Sequence, residues 1–167
     1  MPVLVCASLQ ETIAWKQDTL PMTEFKTINE TMLAAGQIEP DDVALAKEAG
    51  VTLIINNRPD GEAPGQPEGD AIRAAAQEHG IAYTAIPVSS AGFSLPQVDA
   101  MQDALAKAEG KVLAFCRSGT RSTLLWSMAQ AKSGADIETI TAQAAAAGYD
   151  VRSVRPTMEM LRPDNGA

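Results

Sequence analysis

Apolar residues gather in short runs separated by longer stretches in which they recur every three or four positions. That alternation is expected of strands linked by crossover helices. Val51 to Ile55, Ile81 to Pro87 and Val112 to Phe115 read as strands, the first and last suited to a buried parallel sheet. Phe25 to Asn29 and Thr31 to Ala34 read as two further short strands. Pro40-Asp41-Asp42 makes a favourable first helical turn, with a helix to Ala49 and a stop at Gly50. Ala71 to His79 predicts a second helix, His79 closing its end before Gly80. Ser94 is a fitting cap for Leu95 to Ala108, where Val98, Met101, Leu105 and Ala108 share a face before Gly110. Another helix runs from Thr120 or Arg121 to Ser133, with Trp126 in the core. Asp136 caps one through Ala147, and Met158 and Leu161 mark a last short one. The fold class expected is α/β, a three-layer α/β/α arrangement with a mostly parallel central sheet.

The first 22 residues fit this pattern poorly, apart from a candidate strand from Val3 to Ala7. The organisation expected is an N-terminal extension over 1–22, one domain over 23–162 and a tail over 163–167. A chain of 167 residues is long enough for one sizeable core. Its net charge of −8 argues against nucleic acid or an anionic membrane surface as partner. No apolar run is long enough to span a bilayer, and Glu11, Lys16 and Asp18 interrupt any leader-like stretch. Two distant cysteines, Cys6 and Cys116, make no disulfide framework, and with a single histidine there is no zinc constellation. A reducing, cytoplasmic residence without metal or cofactor is the expectation.

Against this acidic background, one stretch concentrates chemistry: Cys116-Arg117-Ser118-Gly119-Thr120-Arg121-Ser122, between a strand and a helix. A turn there aims successive amides, together with a helix N-terminus, at one point, which makes an anion cradle and lowers a thiol pKa. Gly119 lets the chain reverse. Arg121 can grip an oxyanion with a bidentate fork, and Arg117 can steer anions at the rim. Ser118, Thr120 and Ser122 offer hydroxyls to the sulfur or to a bound anion. The loop from Asn56 to Gly69 holds three prolines and three glycines. Its Arg58, Asp60 and Glu62 are second-tier candidates, Arg58 as a further anion contact and Asp60 as a catalytic carboxylate.

The cysteine loop is similar to those of protein tyrosine and dual-specificity phosphatases and of rhodanese-type sulfurtransferases. More widely, the chain resembles the phosphatase-like domain of beta-lactamase-hydrolase-like proteins. The resemblance rests on Ala35-Gly36-Gln37-Ile38, Pro40-Asp41-Asp42, Ile54 to Glu62, Tyr83 to Pro87, the cysteine loop and Leu125-Trp126. It implies a protein tyrosine phosphatase-like, dual-specificity-type fold, and sulfide-oxidising enzymes as fusion partners. Two departures bear on function. The phosphatases place the arginine one position later, so Cys116 to Arg121 is a Cys-x4-Arg loop, as in rhodaneses. They also carry a general-acid aspartate where this chain has Pro87 to Phe93, which includes no carboxylate.

Sulfur transfer is therefore the favoured expectation: Cys116 takes sulfane sulfur from thiosulfate or a persulfide and passes it to a small thiol, with no leaving-group acid required. The alternative is phosphoric monoester hydrolysis through a Cys116 phosphocysteine with Asp60 as acid. A third is a non-catalytic anion-binding module.

Overall fold

Side chains along β5 (Lys111–Phe115) alternate between two cores, Val112 and Ala114 entering one and Leu113 and Phe115 the other. A pleated strand sends successive side chains to opposite faces, so a run apolar on both faces has to be covered on both. The computed structural model describes residues 23–163. There β5 is central in a five-stranded sheet ordered β1-β2-β5-β3-β4. The others are β1 (Lys26–Asn29), β2 (Met32–Ala35), β3 (Val51–Asn56) and β4 (Ala82–Ala85). β1 and β2 pair antiparallel, and every other neighbouring pair is parallel.

One face is covered by α1 (Asp42–Glu48) and α2 (Gly69–Glu78), which place Val43, Ala46, Ile72 and Ala76 over Leu33, Ile54, Leu113 and Phe115. The other carries α3 (Leu95–Lys107), α4 (Thr120–Lys132), α5 (Ile137–Ala146) and α6 (Arg155–Leu161). Val98, Met101, Leu125, Trp126, Met128, Ile140 and Met158 pack there against Met32, Leu53, Ile55 and Val112. The three-layer, mostly parallel α/β expectation is borne out.

Register decides where the site forms. Ala35, Phe115, Asn56 and Ala85 stand in one row across β2, β5, β3 and β4. The residues that follow on three of these strands (Gly36 and Gln37, Cys116 and Arg117, Asn57 and Arg58) therefore leave the sheet side by side.

Expected and observed elements differ mainly at their ends. α2 starts at Gly69, two residues before the apolar periodicity begins, because Asp60 Oδ1 accepts the Gly69 N–H at 2.8 Å across the preceding loop. β4 stops at Ala85, although Ile86 and Val88 still donate to the Asn56 and Asn57 carbonyls. His79 does cap α2, its backbone N–H reaching Ala75 O, and Asp136 accepts the Thr139 N–H at 3.0 Å. The expected strand at Val3–Ala7, the rest of the 1–22 extension with Cys6, and tail residues 164–167 lie outside the described residues.

Losing a carboxylate that satisfies a helix-start amide costs about 1 kcal/mol. Asp60→Ala is expected to lower unfolding free energy by roughly that amount in urea titrations, with an unchanged m-value.

Candidate active site

The site begins where the row of strand ends gives out. The Phe115 carbonyl accepts from Asn57 N–H at 2.8 Å, and Cys116 N–H donates to Ala35 O at 3.3 Å. The Arg117 carbonyl accepts from Gln37 N–H at 3.3 Å. Tyr149 Oη donates to Ser118 O at 3.1 Å. Gly119 O takes both the Thr123 N–H at 3.0 Å and the Thr123 hydroxyl at 2.8 Å. The carbonyl that ends β5 and three carbonyls of the turn are thus engaged from outside it, and the Gly119 N–H donates to Cys116 Sγ at 3.1 Å. Gly119 has φ +89°, in the left-handed region that favours glycine. Its N–H and the start of α4 are thus both presented at the sulfur.

Arg121 leaves the first turn of α4 and is held in a fork. Its Nη1 and Nη2 donate to the two Glu62 carboxylate oxygens at 2.7 and 2.8 Å, and Nη1 also reaches Val88 O at 2.7 Å. Arg58 Nε donates to Glu62 Oε1 at 2.9 Å, and Arg58 Nη1 to Gln37 Oε1 at 3.0 Å. Two guanidiniums on one carboxylate, Arg121 first, hold the Glu62 carboxyl well below the usual range, at about 2, against the opposing effect of burial. The hydrogen bond to Glu62 in turn raises the Arg121 pKa, against the lowering effect of burial. Glu62, Arg121, Arg117, Ser89 and Ser90 line an open cleft of about 370 Å³.

The structure redistributes several expected roles. Cys116, Gly119 and Arg121 come together, and Arg117 is exposed on the cleft wall. The Ser118 and Thr120 hydroxyls bond each other at 3.0 Å. Ser122 Oγ is buried with no partner among the described residues. Arg58, expected as an anion contact, is buried against Glu62 and Gln37. Asp60, expected as the acid, stands instead in a separate pocket with Asn56, Arg73 and Tyr83, bound to the start of α2. The carboxylate in the cleft is Glu62. Thr123 and Tyr149 carry no local signal in the sequence, since each matters through a contact made only on folding.

Residues 24–133 match the model of the phosphatase-like domain of beta-lactamase hydrolase-like proteins. The chain belongs to that family. A beta-lactamase hydrolase-like protein of Xylella fastidiosa (strain Temecula1) is 40% identical over 107 residues, which are 64% of this chain and 25% of that protein. The chain thus spans about a quarter of the length of such relatives. A candidate phosphatase of known structure from Neisseria meningitidis superposes with a TM-score of 0.70 at 28% identity, over 84% of this chain and 98% of the other. PTPMT1, at 13% identity and TM-score 0.63 over 83% and 96% of the two chains, shares the fold.

These likenesses overturn the sulfur-transfer expectation. The family and the solved neighbours are phosphatase-like, and the Cys-x4-Arg spacing does not mark a rhodanese loop. The spacing misled because counting residues between Cys116 and Arg121 ignores the fold that presents them. Among the described residues no group of three or more His, Cys, Asp or Glu is placed to hold a metal. None of their helices is long and apolar enough to cross a membrane.

Depression of the Glu62 carboxyl from 4.5 to about 2 has a definite sign. Its contribution to stability is complete above the unfolded-state pKa and is lost as pH falls through the folded one. In urea titrations between about pH 5 and pH 2, Glu62→Gln should show a shallower acid loss of stability than the wild type. Parallel curves would refute the pairing.

Proposed function

We propose that the chain is a cysteine-dependent phosphomonoesterase. The observation that supports this most is the turn after β5: outward-bonded carbonyls, a Gly119 N–H on Cys116 Sγ, and Arg121 closing the loop. A tetrahedral dianion brought there between Arg117 and Arg121 meets amide donors and a guanidinium. The Cys116 thiolate attacks phosphorus and a P–S bond forms. The P–O bond to the leaving group breaks, and the departing oxygen keeps the electron pair. Water then attacks the phosphocysteine, releasing inorganic phosphate and restoring the thiolate. The loop amides and Arg121 hold the equatorial oxygens throughout, the form of stabilisation that contributes most in such sites.

Protonation of the leaving oxygen is the weak point of the site. Glu62 is kept charged by two arginines, Asp60 is committed elsewhere, and among the described residues the cleft is otherwise lined only by Ser89, Ser90 and the arginines. A positioned acid contributes about 10² to 10⁴ in rate. The substrates that suit this site are therefore phosphate esters whose leaving groups are stable as anions, such as acidic phenols.

Steady-state phosphate release from aryl phosphates of graded phenol acidity tests this. The wild type should turn over the acidic esters, with kcat/KM falling steeply as the phenol becomes more basic, and Cys116→Ser should be inactive. Arg121→Lys keeps charge but loses the fork, and should cost about 10²-fold in kcat/KM. Asp60→Asn should stay within a few fold of wild type. Absence of phosphate release from every ester, or activity surviving in C116S, would overturn the assignment.

A further inference from the structure

We propose that Tyr149 is a positioning residue for Cys116, acting through the single peptide group that joins Ser118 to Gly119. That group is held at both ends. Its carbonyl accepts the Tyr149 hydroxyl at 3.1 Å, and its N–H donates to Cys116 Sγ at 3.1 Å. In a planar trans peptide the C=O and N–H point in opposite directions, so fixing one fixes the other. Rotation of this peptide would turn a carbonyl oxygen toward the sulfur, replacing attraction with repulsion for a thiolate or a bound anion. Glycine is the residue that least resists such rotation, since both signs of φ are open to it. The residue that lets the loop turn also leaves its peptide free to flip, and the Tyr149 hydroxyl supplies the restraint.

The contact is close on a second count. A Cβ on Gly119 would fall 2.1 Å from Tyr149 Oη and 2.8 Å from Cζ, so the phenol fills the space that a side chain at position 119 would take. Tyr149 reaches that place because the chain reverses after α5 at Gly148, with φ +91°, and Tyr149 N–H returns to Ala144 O at 2.9 Å. It lies beyond residues 24–133, so the restraint on the loop comes from outside the family match.

The charged groups around the pair favour this role. Burial first, then the charges of Cys116 and Glu24, raise the Tyr149 phenol above its ordinary 10, so it remains a donor through neutral and mildly alkaline pH. Lys26 Nζ stands over the ring, 5.6 Å from its centroid. On the other side, Cys116 faces Arg121, itself paired with Glu62, while Arg117 stands at the rim.

The inference rests on Cys116 being the nucleophile, and its test reads that thiol directly. Tyr149→Phe removes one oxygen and leaves the ring. In the full chain, alkylation of Cys116 by iodoacetamide, followed by peptide mapping, should slow about five-fold at pH 6.5, as expected from weakening one hydrogen bond to a charged sulfur. At pH 9.5, where a thiol ionises without help, the two rates should agree within about two-fold. Lys26→Met should match wild type at both pH values, and thermal melting shows whether each variant is folded. Gly119→Ala, whose Cβ displaces the hydroxyl, should reproduce the loss at pH 6.5 and covers the case in which Y149F melts too low to assay. Equal rates for Y149F and wild type at pH 6.5 overturn the inference. So does equal slowing at both pH values, which marks altered access, or a matching deficit in K26M. Alkylation needs no ester substrate, so a Y149F-specific deficit in a protein inert toward aryl phosphates would overturn the phosphatase assignment alone.

Discussion

An anion cradle made of backbone amides exists only if the matching carbonyls are occupied elsewhere, because each peptide presents a donor and an acceptor in opposite directions. In this chain the partners of the Arg117, Ser118 and Gly119 carbonyls come from three parts of the fold: Gln37 after β2, Tyr149 after α5, and Thr123 within α4. Removing one partner leaves a carbonyl with a reason to turn inward, where its partial negative charge opposes the thiolate. The level row of strand ends at Ala35, Phe115 and Asn56 lets Asn57 and Ala35 anchor the base of the loop, and Gln37 reach the loop itself, with backbone groups alone. Sheet register and thiol chemistry are therefore one constraint, and a slip of a single residue in β2 or β3 would break both.

Glu62 imposes a second constraint, of charge. Arg121 is useful to an anion only if it is held in place, and a long side chain left free loses rotamer entropy on binding. A bidentate carboxylate supplies the fixing, and Arg58 keeps that carboxylate from fully neutralising its partner. Two guanidiniums on one carboxylate leave one positive charge over for the thiol or an anion, in a protein of net charge −8. The same arrangement depresses the Glu62 carboxyl to about 2 and removes it as a proton donor near neutrality.

What the sequence disclosed and what it hid divide along physical lines. Strands β3 and β5, helices α3 to α5, and the strand–turn–helix around Cys116 were legible because each follows from periodicity, caps or a local turn. The early start of α2, the burial of Arg58 and the contact of Tyr149 with Ser118 were not, because each depends on residues 9 to 31 positions apart in the chain. Arg58, Asp60 and Glu62 show the difference within one motif. All three stand on one Gly/Pro-rich loop, and sequence alone favoured Asp60. The fold sends Asp60 to the start of α2 and Glu62 to Arg121. The choice between sulfur and phosphorus chemistry failed for a related reason. It rests on the residue count within the loop and on the absence of a carboxylate from Pro87 to Phe93, whereas the family match and the solved neighbours report the scaffold around them.

A turn with only four residues between Cys116 and Arg121 still has to finish at a helix whose first turn carries the arginine. Here Gly119 at φ +89° directly precedes Thr120, the first residue of α4, so the reversal and the helix start fall on adjacent residues. Little backbone is left between them to adapt, and the orientation of the Ser118–Gly119 peptide has to be set from outside. A phenol inserted from the far end of α5 does this without adding residues to the loop. The short loop and the tyrosine form one device: the first leaves little internal freedom, and the second fixes the one peptide that the glycine would otherwise leave free.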